Sequence, residues 1–195
     1  MTVVHLFDPP ERFVAGTVGM PGERTFFLQA REGLRLISVA LEKQQVAILA
    51  ERIDELLDEV AQTSGMSAWA SDAIAQPDND PLESPIEEEF RAGTITLSWD
   101  ERDGRVVIEV FPVESMMGEE PPNAIDEAGL AHLPIVEPEP DELLVVRLTP
   151  ALARRFATRA AIVVGQGRPN CPFCGGPMEV NGHLCPRANG FRRSR

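Results

Sequence analysis

Residues 34–63 read LRLISVALEKQQVAILAERIDELLDEVAQT and change their periodicity partway along. Up to Leu41, apolar residues alternate with polar ones, which predicts a strand. From Glu42 to Thr63, apolar residues recur every three or four positions, which predicts an amphipathic helix. The apolar stripe of this helix consists of Val46, Leu49, Ile53, Leu56, Leu57 and Val60. A strand followed by a helix with one apolar side predicts an α+β fold in which the helix lies on a sheet.

Further strands are predicted upstream. The segments Arg12–Val18 and Arg24–Arg31 are rich in β-branched and aromatic residues. Together with Leu34–Leu41 they predict three antiparallel strands in a meander, and residues 1–10 predict a strand before them. The glycines of Gly16–Gly22 lack the lysine and the following helix of a phosphate-binding loop, so we interpret this stretch as a hairpin.

The second half of the chain repeats this succession of elements. The predicted elements are strands at Gly93–Asp100, Arg105–Pro112 and Leu143–Leu148 and a helix from its N-cap Thr149 to about Val164. The stretches 64–89 and 112–142 are acidic and rich in proline, which predicts long connections. We also expect short helices at 67–75 and 86–90.

Three strands followed by one helix therefore occur twice, in residues 11–63 and 90–167. Two such units would join into one antiparallel sheet with both helices on one face, a two-layer α+β body over residues 1–167. The identity between the halves is weak, so chance similarity is the other interpretation. Residues 168–195 form a separate tail.

The tail carries the clearest chemistry. All three cysteines lie there, as Cys171-Pro-Phe-Cys174-Gly-Gly and Gly-His183-Leu-Cys185-Pro. A Cys-x2-Cys turn offers two thiolates to one ion, and zinc takes four N or S ligands in a tetrahedron. A second such turn begins at Cys185 but has Ala188 where its next cysteine would stand, and His183 can supply the missing ligand. The sequence therefore predicts a closed, structural Zn²⁺ site formed by Cys171, Cys174, His183 and Cys185.

Two other interpretations of the cysteines remain open. A Cys-x2-Cys pair acts as a redox dithiol in thioredoxin-like proteins, although no βαβ pattern precedes this one. The other interpretation is a flexible tail with unligated thiols. A disulfide would leave one cysteine over, and the first residues lack the basic segment of a secretory signal.

Charge is distributed unevenly along the chain. Residues 1–153 carry ten Lys or Arg and 30 Asp or Glu, a formal charge of −20. Residues 154–195 carry eight Arg and one Glu, a charge of +7, which completes the total of −13. The acidic body opposes broad nucleic-acid binding. No apolar run approaches the roughly 20 residues of a membrane span, so we expect a cytoplasmic protein without a membrane partner.

The body offers weaker site candidates. His5 and Asp8 could line a pocket, although a single histidine on an apolar segment is more often simply packed. Glu87–Glu89 and Glu119–Glu120 could hold a divalent cation weakly, but runs of like charge are usually solvated. His132 lies in an acidic loop, where we expect it in solvent. The sequence contains no recognisable Ser-His-Asp or Cys-His nucleophile set.

Four phrases of the sequence resemble an uncharacterised actinobacterial protein family. They are FVAGTVG at 13–19, RTFFLQAR at 24–31, VALEKQQV at 39–46 and CPFCG at 171–175. Members of this family are of similar length and have a cysteine-rich end of this type. The resemblance covers nearly the whole chain and implies a cytoplasmic actinobacterial protein. The family is a domain of unknown function, so the resemblance implies no activity and no catalytic residues.

Three classes of function follow from these features. We expect a non-catalytic, zinc-containing adaptor with a protein partner, because the acidic body and the basic tail present two distinct surfaces. The alternative is an enzyme with a carboxylate-lined pocket between sheet and acidic loops, where Asp100 or Glu109 would act as acid or base. The third class is nucleic-acid binding through the tail, whose few aromatic residues argue against it. The tail residues concerned are Arg187, Arg192, Arg193, Arg195, Phe173 and Phe191.

Overall fold

Seven strands and two helices make up the described part of the chain, an α+β fold as the sequence predicted. In this computed structural model the described residues are 2–20, 22–64, 78–113, 141–166, 171, 173–175, 185 and 187. The elements are β1 (Val3–Phe7), β2 (Arg12–Val18), β3 (Thr25–Glu32), β4 (Arg35–Leu41), α1 (Lys43–Ser64), β5 (Glu88–Asp100), β6 (Arg105–Pro112), β7 (Glu142–Leu148) and α2 (Pro150–Gly165). Neither described helix is apolar enough over a sufficient length to cross a membrane.

The strands form one sheet in the order β1-β7-β6-β5-β4-β3-β2. The antiparallel meander of β2, β3 and β4 is confirmed. The expectation of an antiparallel sheet throughout is wrong, because β4 pairs with β5, and β1 with β7, in parallel. A strand that leads through a helix to its neighbour starts that neighbour in the same direction. The β4-α1-β5 connection therefore makes the sheet mixed.

Strand β5 belongs to both halves of the sheet. Glu88 lies opposite Ser38 and Arg91 opposite Ala40 on β4, and from Ala92 onwards the strand pairs with β6. The helix expected at 86–90 is wrong, because strand pairing with β4 overrides the local sequence pattern. The strand accordingly starts at Glu88 rather than at Gly93. The helix expected at 67–75 and most of the loop expected at 112–142 lie outside the described residues.

The link between β1 and β2 determines how the sheet is shaped. Only residues 8–11 separate Phe7 from Arg12, although the two strands stand at opposite ends of the sheet order. That step reaches about 17 Å at most, whereas six strand spacings in a flat sheet amount to about 29 Å. The sheet therefore curls until its edges approach. Arg35 on β4 bridges to β1, since its Nη1 donates to the Leu6 carbonyl at 2.7 Å and its guanidinium lies 4.3 Å from the Phe7 ring centroid.

One hydrophobic core lies between the inner face of the sheet and the two helices. Alternate residues of the central strands are fully buried there, namely Val106, Ile108 and Val110 on β6 and Leu144, Val146 and Leu148 on β7. The helices contribute Val46, Leu49, Ile53 and Leu57 from α1 and Ala153, Phe156, Ala157 and Ala160 from α2. Phe156 stacks on Phe13 with ring centroids 4.6 Å apart, which fixes α2 against β2. Thr149 caps α2 as predicted, because its hydroxyl accepts from the Leu152 N–H.

Residues 78–87, which we call the strap, cross the outer face of β2, β3 and β4. Gln29 and Ser38 point to this face and are buried there, with Gln29 Nε2 donating to Ser38 Oγ at 3.1 Å. The Gln29 amide also exchanges two hydrogen bonds with the backbone of Glu83, at 3.0 and 2.8 Å. Leu82 sits on Gly16, where a Cβ atom would come within 2.5 Å of Leu82 Cγ. The strap therefore satisfies buried polar groups and requires a glycine beneath it.

Asp78 anchors the start of the strap. Arg12 donates to both carboxylate oxygens of Asp78, at 2.6 and 3.0 Å, and Arg159 of α2 donates to Oδ1 at 3.0 Å. Arg159 Nε also donates to the Ala15 carbonyl on edge strand β2, at 2.7 Å. The three side chains are only 12%, 15% and 8% exposed in the order Arg12, Asp78 and Arg159. The hydrogen bond from Arg12 lowers the pKa of Asp78, although burial opposes that shift.

We expect Asp78→Asn to destabilise the fold at neutral pH by about 2 kcal/mol, because two largely buried arginines lose their charged acceptor. The folded-state pKa of Asp78 is lowered. Its contribution to stability is therefore complete above the unfolded pKa near 4 and is lost as the pH falls through the folded pKa. Urea unfolding at neutral pH and near pH 3 measures this effect. The difference between wild type and variant should shrink in acid.

Asp80→Asn is the matched control for this prediction. Asp80 is exposed, and Arg12 contacts its backbone carbonyl rather than its carboxylate. The same change of charge should therefore alter the free energy of unfolding by no more than about 0.5 kcal/mol. Equal losses in the two variants, or a deficit of Asp78→Asn that persists in acid, would contradict the role assigned to Asp78.

A second prediction concerns the seating of the strap. Gly16→Ala should destabilise the protein by about 1–3 kcal/mol, because the added methyl group overlaps the Leu82 side chain. Leu82→Ala removes that overlap. The loss of unfolding free energy in the double variant should therefore be about 1 kcal/mol smaller than the sum of the two single losses. Unfolding curves of the four proteins give this coupling energy. Strictly additive losses would show that Leu82 does not rest on Gly16.

Candidate metal centre

Cys171, Cys174 and Cys185 converge although the last lies 14 positions after the first. Their sulfur atoms all lie within 4.8 Å of one another, and the sulfurs of Cys171 and Cys185 are 3.7 Å apart. None of the three forms a disulfide, and 3.7 Å is far longer than a disulfide bond of about 2.05 Å. A tetrahedral ion with metal–sulfur bonds of about 2.3 Å places its sulfurs about 3.8 Å apart. The three thiols are therefore placed to hold one metal ion.

The first two cysteines are held by a tight turn. The N–H of Gly175 donates to the Cys171 carbonyl at 2.8 Å and closes the turn around them. Gly175 has a φ of 74°, which favours glycine at this position. The backbone N–H of Cys174, and then that of Phe173, lower the pKa of the Cys171 thiol. Since the thiolate is the form that binds metals, the turn favours the metal-binding form.

Two of the cysteines are buried, while the side chain of Phe173 in the turn is exposed. Cys171 and Cys185 are only 4% and 7% exposed, whereas the Phe173 ring between the first two cysteines is 63% exposed. Arg187 is also exposed, and its Nη1 donates to the Phe173 carbonyl at 3.3 Å. The turn thus has an exposed aromatic ring and an exposed arginine that bonds to its backbone, while two of the three cysteines are buried.

The structure brings together three of the four ligands that the sequence predicted. His183 lies outside the described residues, so its part in the site stays a prediction. Three thiolates are soft ligands, which suit zinc, Cu(I) and iron–sulfur centres and not magnesium or calcium. The described geometry therefore supports a metal site at the cysteines without selecting the ion.

The candidate site residues in the body do not form one site. Asp8 does not join His5, because its carboxylate pairs with Arg147 at 2.8 Å. His5 instead faces Glu89, with 3.9 Å between Nε2 and Oε1. The other candidates in the body, His132 and Glu119–Glu120, lie outside the described residues. The hairpin expected at Gly16–Gly22 is confirmed by the antiparallel pairing of β2 with β3.

Asp100 and Glu109, the expected acid and base of an enzyme, are held in other interactions. Asp100 accepts from Arg147 at 2.9 Å, and this bond is the main reason that the pKa of Asp100 is lowered. Glu109 accepts from the Thr96 hydroxyl at 2.8 Å on the neighbouring strand. A general acid at neutral pH needs a raised pKa. Neither carboxylate lines the two cavities of about 200 Å³ found among the described residues.

Sequence reasoning missed two groups of polar residues. It did not identify the cluster of Arg12, Asp78 and Arg159, although Arg159 stands one turn after Phe156 on the apolar side of α2, which is a usable signal. It also did not place Glu142 beside His5, because nothing local in the sequence relates the two residues. Both groups join parts of the chain that are far apart in sequence.

Comparison with known proteins gives a family and no activity. No curated protein and no solved structure matches this chain. One family matches residues 5–185, under the description protein of unknown function (DUF3090). The match includes both helices, six of the strands in full and all three cysteines. The chain therefore belongs to the DUF3090 family.

Proposed function

We propose that this protein is a non-catalytic, zinc-containing binding protein whose metal site holds a recognition surface for a protein partner. The distance of 3.7 Å between the sulfurs of Cys171 and Cys185 supports the metal site most directly. Zinc is the ion we favour, because His183 two residues before Cys185 would complete a Cys₃His shell. That shell is closed and therefore structural.

The metal would supply the stability that the tail lacks. Residues 168–195 contain few large apolar side chains, and the described Phe173 is exposed rather than packed. A segment without its own hydrophobic core gains its folding free energy from metal binding. Removing the metal should therefore disrupt the surface formed by Phe173 and Arg187.

Phe173 and Arg187 give this surface its recognition chemistry. Aromatic and arginine side chains dominate the binding energy of many protein interfaces. The tail is basic while the body is acidic. We therefore expect the partner to offer an apolar pocket for the ring, bordered by carboxylates. We place the protein in the cytoplasm, since a thiolate site persists in a reducing compartment, and the resemblance implies an actinobacterial source.

Nucleic-acid binding through the tail is the second candidate. The exposed ring of Phe173 could stack on an unpaired base. Against this stands the acidic body, which repels a polyanion. A fluorescence titration with short single-stranded RNA and DNA at low salt separates the two candidates, and tight binding there would favour the second.

The zinc part of the proposal makes a prediction about metal content. The purified protein should contain about one equivalent of zinc. Cys171→Ser and His183→Gln should each lower zinc affinity, because each removes one ligand. His132→Gln is the matched histidine control and should keep the affinity of the wild type. Cobalt substitution should give tetrahedral thiolate bands that change in Cys171→Ser and in His183→Gln but not in His132→Gln. Less than about half an equivalent of zinc, with a fold that a chelator leaves unchanged, would contradict the site.

The partner-binding part makes a separate prediction. A photo-crosslinking residue at position 173 should capture one protein in stoichiometric amount from the native cytoplasm. Phe173→Ala and removal of zinc should each abolish co-purification of that same protein, because both remove the exposed ring from its place. Leu34→Ala is the control, since Leu34 is a fully exposed apolar residue on the β3–β4 turn. Retention of the partner by Phe173→Ala would contradict the proposed surface.

A further inference from the structure

Three potential metal ligands meet on the sheet, independently of the cysteines. His5 lies on β1, Glu89 on β5 and Glu142 on β7. One ligand atom from each lies within 4.8 Å of those of the other two, and His5 Nε2 is 3.9 Å from Glu89 Oε1. Three strands that are far apart in sequence thus bring an imidazole and two carboxylates to one point.

His5 is the residue of this cluster that needs a partner. Its side chain is only 12% exposed, and its Nε2 atom is buried without a hydrogen-bond partner among the described residues. A buried polar atom without a partner destabilises the folded state. Neutral imidazole nitrogen is also a common ligand of transition metals. The atom that lacks a partner is the one that faces the Glu89 carboxylate.

The two carboxylates, those of Glu89 and Glu142, have no lysine or arginine partner in the part of the chain that the structure describes. In contrast, Asp78, Asp100 and Glu11 each pair with an arginine at 3.0 Å or less. Glu89 and Glu142 thus offer two carboxylate oxygens as ligands beside the His5 imidazole. The cluster therefore has the charge and the donor atoms of a cation site.

We propose that His5, Glu89 and Glu142 bind one divalent transition-metal ion, of the class of Mn²⁺, Fe²⁺ or Zn²⁺. A mixed imidazole and carboxylate set suits these ions. Neighbouring ligands around an ion with bonds of about 2.1 Å stand about 3 Å apart. Rotation of the exposed Glu89 and the half-buried Glu142 side chains closes the remaining distance. Three protein ligands leave positions for water or a bound anion, unlike the closed shell expected at the cysteines.

Manganese is the appropriate probe, because it prefers oxygen and nitrogen ligands and leaves the thiolates to zinc. Electron paramagnetic resonance titration of the full-length protein that carries only one equivalent of zinc should show one tight Mn²⁺ site per chain. His5→Ala, Glu89→Gln and Glu142→Gln should each weaken that site by about tenfold or more. Glu88→Gln changes the charge equally in the same acidic run and should leave the affinity unchanged. Loss of affinity in Glu88→Gln equal to that in Glu89→Gln would mean diffuse attraction to an acidic surface and would overturn the site.

Pulsed electron paramagnetic resonance of the bound Mn²⁺ tests directly whether a histidine nitrogen is one of its ligands. It should detect the nitrogen of a directly bound imidazole, and this signal should vanish in His5→Ala and persist in His132→Gln. Thermal unfolding without manganese shows whether each variant is folded, and His5→Gln serves as a more conservative second variant. Cys171→Ser should keep the manganese signal, which separates this site from the zinc proposal. Manganese that binds without a nitrogen signal, or does not bind, would refute the inference.

Discussion

A link of four residues constrains the whole sheet. Because residues 8–11 must join β1 to β2 at the opposite edge, a flat seven-stranded sheet is geometrically impossible. The resulting curl lets a single sheet enclose α1 and α2 in one core. The parallel pairing of β1 with β7 carries His5 to the neighbourhood of Glu142, and the curl brings β1 close to Glu89 on β5. The position of the proposed cation site is thus a consequence of chain connectivity.

Several arginines of this acidic protein stabilise the fold by pairing with carboxylates. Arg12 and Arg159 hold Asp78, Arg31 binds Glu83 at 2.9 Å, and Arg147 contacts three different carboxylates near one end of β7. These contacts fasten the strap and the strand ends to the sheet. The cluster around His5 differs from an ordinary acidic surface in its buried imidazole Nε2 atom, which has no hydrogen-bond partner among the described residues.

Features that depend on local sequence could be predicted, and those that depend on distant segments could not. The bounds of β2 and β6 and the capping of α2 by Thr149 follow from alternation and turn chemistry. The cysteine cluster lies within a short stretch, so ligand spacing alone indicated it. The parallel pairing of β5 is set by the crossover through α1, which no local pattern encodes. The contact of Arg159 with Asp78 joins residues 81 positions apart, and helical periodicity carries no such information.

The pairing of β5 with both β4 and β6 affects how the molecule unfolds. Since its first residues bond to β4 and the rest to β6, neither three-strand unit has a complete set of backbone partners alone. Separation of β5 from β4 or from β6 leaves backbone amides of the neighbouring strand without partners. The two units therefore unfold as a single cooperative foldon. A protease that cut the connection between the two units would release no independently folded fragment. Each fragment would keep only part of the backbone hydrogen bonds of β5.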